Sequence, residues 1–170
     1  SGGLQGFISR TATLPAPGLT VSVLTNSLDG LAGPWLEGVV HILQAFARRG
    51  APARRVADWR GRWWSLWGAV DLVPIGGKVV AAVPGAWNPF LDAGEIAVTG
   101  RDRGRIDQTG GYGSFGEPVR LSRNARKRIV AVQLAGTRLL PEAKVAAEVA
   151  ARYERAGPAK PKRRRRRPRR

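Results

Sequence analysis

The chain has 170 residues, 43% apolar and 24% charged, which is enough to bury a core. It has no cysteine, which excludes disulfides, thiolate metal sites and a cysteine nucleophile, and no apolar run approaches the ~18 residues of a membrane span. The net charge of +17 is uneven: residues 155–170 hold ten positive charges and no negative ones, whereas residues 1–154 hold 19 basic against 12 acidic residues.

Methionine is also missing, so the sequence reads as a processed product or, preferably, a piece of a longer gene product. Ser1 opens directly on a strand-like segment. Any leader would then lie upstream, and a soluble product is expected, with periplasm and cytoplasm both open. The 22 glycines and 12 prolines predict many turns and short elements.

Residues 4–13 alternate loosely and meet Leu14-Pro15-Ala16-Pro17-Gly18, a turn built from two φ-locked prolines and a permissive glycine. Residues 19–25 are β-branched and apolar, with Thr20 and Ser22 on the alternate face, so the two segments predict a hairpin. After a loop, Pro34 suits the first position of a helix over 34–49. Its apolar stripe is Leu36, Val39, Val40, Leu43 and Ala47, and Gly50 caps it. Residues 50–56 read as a linker.

From Trp59 the pattern changes. Short apolar runs recur between glycine-rich turns: Trp59 to Gly68, Asp71 to Ile75, then Gly76-Gly77 and Lys78 to Val83. Further strand candidates are Glu95–Thr99, Val119–Leu121 and Ile129–Leu134. This spacing predicts an antiparallel sheet or small barrel over 57–154, ending in a helix over 141–154. Residues 155–170 form an Arg-rich tail expected to be disordered, since from Gly157 it has nothing to bury. The fold class is therefore α+β.

The segment Ser1-Gly2-Gly3-Leu4-Gln5-Gly6-Phe7, followed by Leu24-Thr25-Asn26 and a helix, resembles the third active-site motif and the closing elements of serine hydrolases of the β-lactamase and penicillin-binding-protein type. The resemblance covers residues 1–49. It implies that Ser1 and Gly2 are a remnant of the motif wall, with its Lys or His just before Ser1, and that the Gly3 backbone N–H is the oxyanion donor. It implies an incomplete end of a catalytic domain: the last two sheet strands and a C-terminal helix. The intact protein would hydrolyse an ester, peptide or β-lactam through an acyl-serine, taking an acyl or peptide small molecule as substrate. Residues 57–154 resemble the lipocalin-like β-domain that follows the catalytic domain in several of these hydrolases.

The chain lacks the Ser-x-x-Lys nucleophile motif of that family. Ser122 comes nearest, with Ala125 where the lysine would stand. The fragment alone is therefore expected to be inactive. His41, the single histidine, reads as a surface or core-edge helix residue, and nothing supports a Ser-His-Asp triad. Asp102 and Asp107 sit among Arg101, Arg103 and Arg105, and no metal or other cofactor is expected. Gly100 to Gly104 and Gly110 to Gly116 match no phosphate-loop fingerprint and read as hairpin turns and a barrel corner. Trp59, Trp63 and Trp67 are expected on one face, as core, with Trp64 on the other. The run Arg163, Arg164, Arg165, Arg166 and Arg167 could bind polyanions without sequence readout, which keeps open an alternative: a non-enzymatic basic barrel that engages nucleic acid or anionic surfaces.

Overall fold

The computed structural model describes residues 1–16, 18–90, 92–110 and 113–156, so the Arg run of the tail lies outside the described residues. The architecture is α+β. Three N-terminal strands, β1 (Gly2–Leu4), β2 (Phe7–Leu14) and β3 (Leu19–Thr25), form an antiparallel sheet in that order. The first expected strand is thus two strands. Gln5-Gly6 makes a two-residue turn, with Gly6 at φ +83°, that folds β1 back along β2. The Pro15–Gly18 turn is where the sequence puts it, closed by the Gly18 N–H donating to Leu14 O at 3.0 Å.

Helix α1 (Ala32–Arg49) packs on β2 and β3. It begins two residues before Pro34, which falls in the first turn, where its missing N–H costs nothing. Gly50, at φ +73°, ends it by donating to Phe46 O at 2.8 Å. The buried stripe differs slightly from expectation: Ala47 is exposed, and Ala45 is buried in its stead. The helix serves two partners, and Ala45 packs with Ile75, Val80 and Ala82 of the second sheet and with Ala93 just before β7.

That second sheet is an eight-stranded meander. Its strands are β4 (Gly61–Ser65), β5 (Gly68–Ile75), β6 (Lys78–Ala82), β7 (Gly94–Gly100), β8 (Arg103–Gln108), β9 (Pro118–Arg123), β10 (Ile129–Leu134) and β11 (Thr137–Leu139). Each pairs with its sequence neighbour. The two ends meet where Trp64 and Leu140 exchange backbone hydrogen bonds of 2.7 and 2.8 Å, so the sheet is a nearly closed barrel. Helix α2 (Glu142–Ala156) follows and packs against β4. Residues 155 and 156, assigned to the tail from sequence, belong to this helix.

Alternate residues point inward. Val70, Leu72, Val79, Ile96, Ile106, Val119, Leu121, Val132, Leu134 and Leu139 form one buried cluster with Val56, Trp59 and Trp63. Residues 50–60 lie between α1 and β4 and are built into the barrel. Ala53 N–H donates to Gly76 O at 2.7 Å, and Val56 is fully buried. With Trp59, whose indole N–H donates to Arg101 O at 3.1 Å, Val56 plugs one end of the barrel. Trp63 is core as expected. Trp67 is not: it sits in the β4–β5 turn and is 87% exposed, because the strand ends at Ser65.

Two glycines are dictated by close approach. A Cβ on Gly104 would lie 2.8 Å from Ile96 Cγ2 and 3.2 Å from Trp59 Cη2, so the plug's indole occupies the space of an inward side chain. Gly76, at φ +56°, opens the two-residue β5–β6 turn, and its Cβ would meet Arg49 O at 2.6 Å. The end of α1 is therefore seated on that hairpin.

Removing the plug should be costly. Trp59→Ala is expected to lower the unfolding free energy by about 3–5 kcal/mol, the usual range for truncating a buried aromatic. Urea titration followed by far-UV circular dichroism reads this directly, and a loss below about 1 kcal/mol would show that the barrel end needs no plug.

Candidate functional site

The motif residues lie at the free edge of the small sheet. Gly2 pairs with Ser9 and Gly3 with Ile8, while Leu4 and Phe7 close the hairpin. In a two-residue hairpin the closing pair is hydrogen-bonded and the next pair is not. Gly3 therefore directs its N–H and C=O away from β2, towards the side of β1 that has no strand among the described residues. Nothing lies within 4 Å of where a Gly3 Cβ would stand. Ser1 precedes the strand and is exposed.

Among the described residues nothing covers the face of this sheet opposite α1. That face carries Leu4, Phe7 and Leu24, which are 74%, 57% and 77% exposed. Beyond Leu24 on the same face run two hydroxyl rungs, Thr11–Ser22 at 2.9 Å and Thr13–Thr20 at 3.3 Å. On the other face the Thr25 hydroxyl lies 3.3 Å from Ile8 O and 3.2 Å from Ser27 O, and Gly30 is pressed against it. That fixes the path from β3 into α1.

A second group of polar residues, scattered along the sequence, joins helix to barrel. On the outer barrel face Glu95 of β7 binds Arg49 of α1 at 2.5 Å and Lys78 of β6 at 3.0 Å, and Lys78 reaches Asp107 of β8 at 2.7 Å. The residues are far apart in sequence, and only the register of three strands brings them together. A cavity of about 130 Å³ beside this ladder is lined by His41, Arg48, Arg49, Glu95 and Gln108. The lone histidine is thus a half-buried core-edge residue, as expected, though with charged neighbours that its sequence position does not reveal.

The remaining candidates separate. Asp102 pairs with Arg123 at 2.5 Å and Asp107 with Lys78, so the two carboxylates belong to different ion pairs. Gly100 to Gly104 forms the β7–β8 hairpin, and Gly113 is close-packed against Ile106 and Ala135 in the β8–β9 connection. The first is a turn as the sequence predicts, and the second expectation takes in residues 111 and 112, which lie outside the described residues. An apolar groove of about 360 Å³ runs between α1 and the β6–β7 loop, with Trp35 and Trp87 exposed on its walls. Its lining has no ionisable group, so it could hold a ligand but supplies no acid or base.

Compared with known proteins, the chain matches no family model and no curated sequence.

The ladder makes stability depend on pH. Burial pushes the Glu95 carboxyl up, but hydrogen bonds and charge from Lys78 and Arg49 outweigh it and hold the group below its ordinary 4.5. Lys78 likewise holds Asp107 below 3.8. Depressed carboxylates bind fewer protons folded than unfolded, so stability rises with pH: it is complete above about pH 4.5 and lost as pH falls through the folded values. Glu95→Gln should therefore be less stable than the parent at about pH 7, and the gap should be narrower at about pH 3, below the ordinary carboxyl value. Urea unfolding at the two pH values tests this, and an unchanged gap would remove the ladder from the acid response.

Proposed function

We propose that the chain is the C-terminal part of a serine hydrolase of the β-lactamase and penicillin-binding-protein type, followed by an accessory lipocalin-like barrel. One observation carries the reading: the Gly3 N–H points out of the open edge of β1, in a sheet backed by a helix. The motif Ser1-Gly2-Gly3 stands on that edge. The exposed Leu4, Phe7 and Leu24 fit a sheet whose second face is covered by a further layer of the same domain.

In the intact protein an upstream serine attacks the carbonyl of an ester, peptide or β-lactam. The carbonyl oxygen gains negative charge, and a donor fixed in advance at that position lowers the barrier. Gly3 N–H is that donor, and a glycine there lets the substrate carbonyl approach closely. Collapse of the tetrahedral species breaks the bond to the leaving oxygen or nitrogen, and water releases the acid.

Two measurements bear on this. The chain alone, incubated with a fluorescent penicillin or an activated ester, should form no covalent adduct, and a stoichiometric adduct on any serine would overturn that expectation. The coding sequence just 5′ of Ser1 should specify Lys or His, with Ser-x-x-Lys further upstream, and the absence of both would defeat the reading. In the polypeptide so extended, Gly3→Pro deletes the N–H at an edge position where proline is tolerated. It should lower kcat about 10²–10³-fold. Gly3→Ala keeps the donor and has room for its methyl, so it should stay near the parent. Equal rates for the two variants would take Gly3 out of the oxyanion role.

A further inference from the structure

The moderate positive charge of residues 1–154 is not spread over the surface. One end of the barrel holds the plug segment, the β5–β6 turn Gly76-Gly77, and the β7–β8 and β9–β10 turns. The plug contributes Arg54, Arg55 and Arg60. The β7–β8 turn contributes Arg101 and Arg103, and the β9–β10 turn contributes Arg126, Lys127 and Arg128. All eight are exposed, and among the described residues none has a carboxylate within 4.0 Å.

The same end has two carboxylates, Asp58 and Asp102, and one residue occupies both. Arg123 donates through Nη2 to Asp58 and through Nε to Asp102, each at 2.5 Å, and through Nη1 to Lys127 O at 2.9 Å. Its side chain is only 13% exposed. One guanidinium therefore ties the three basic loops together and pairs with both acids between them, offsetting one of their two charges. Counting Arg123, this end has nine basic and two acidic residues, while the rest of residues 1–154 has ten of each. The whole excess of the folded part is here. A cleft of about 610 Å³ between the plug and the β7–β8 hairpin is lined by Arg54, Arg55, Asp58, Thr99 and Arg101.

We infer that this barrel end is an interaction surface for the phosphate backbone of a nucleic-acid duplex. The composition selects that partner. Arginine outnumbers lysine, and its planar fork matches phosphate oxygens. A membrane-surface site would combine its cations with exposed apolar side chains, and none of the exposed large apolar residues lies in these loops. A single-strand site would offer aromatic faces for stacking, but Trp59, the aromatic residue of these loops, is fully buried. What remains is charge and guanidinium geometry, which reads backbone and not base sequence. The inference is independent of the hydrolase reading and does not use the tail.

The test keeps the full chain, so that the tail is constant. Arg54→Gln, Arg101→Gln and Arg126→Gln are combined in one variant. A control combines Arg10→Gln, Arg138→Gln and Arg152→Gln, three exposed cations elsewhere, giving the same net charge. Binding to short DNA and RNA duplexes is followed by fluorescence anisotropy between about 50 and about 200 mM salt. The barrel-end variant should have a log–log salt slope shallower by roughly 2–3, at about 0.9 per lost phosphate contact, on at least one duplex, while the control matches the parent. Pelleting with phosphatidylserine vesicles should respond equally to both variants. Equal slope losses in the two variants would mean that net charge alone acts and would overturn the site. So would loss of vesicle binding in the barrel-end variant with duplex binding intact, or tighter binding to a single strand of the same length.

Discussion

An eight-stranded barrel encloses about as much space as its own side chains can fill, and most of this structure answers to that constraint. The interior is occupied by Val, Leu and Ile from the strands, and one end is stoppered by Val56 and Trp59 from the segment that enters the barrel. Because the indole of Trp59 takes up inward space, the facing position on β8 is Gly104. With the interior committed to packing, surfaces for chemistry or binding lie outside it: the α1 contact, the loops at the ends and the small sheet.

The two sheets treat their edges in opposite ways. The barrel consumes its edges, its first and last strands meeting at Trp64 and Leu140. The three-stranded sheet leaves β1 open and one face bare. Unpaired strand edges are ordinarily a hazard that proteins blunt with charge, bulges or cover. Here the exposed edge coincides with the Ser1-Gly2-Gly3 motif, and this coincidence is what the hydrolase proposal explains.

Much of the fold was legible because it rests on local signals. The Pro15–Gly18 turn, helix α1 with its Gly50 cap, the Gly76-Gly77 hairpin and most barrel strands follow from spacing and turn chemistry. The failures have physical causes. Strand β8, Arg103–Gln108, has one large apolar residue, Ile106, because Trp59 displaces any side chain at 104. The Gln5-Gly6 turn has a single glycine and interrupts an alternation that is loose on both sides. Trp67 continues the tryptophan series in sequence but falls past the strand's end. Least visible were the Arg49–Glu95–Lys78–Asp107 ladder and the basic barrel end, since both join residues that only the meander's register makes neighbours. For the candidate site, Ser1 to Gly3 were expected from a resemblance alone, and only the register shows which way the Gly3 N–H points.

The adjacency of β4 and β11 has a consequence for how such a unit can move between proteins. The chain enters the barrel along β4 and leaves it at Leu140, and the bonded pair of Trp64 with Leu140 places the entering and leaving strands side by side. A unit whose entry and exit lie together can be spliced into a host loop or rearranged by circular permutation without stretching its surroundings. The barrel is thus transplantable by geometry, and the seat of Arg49 on Gly76 would have to be rebuilt in each new host.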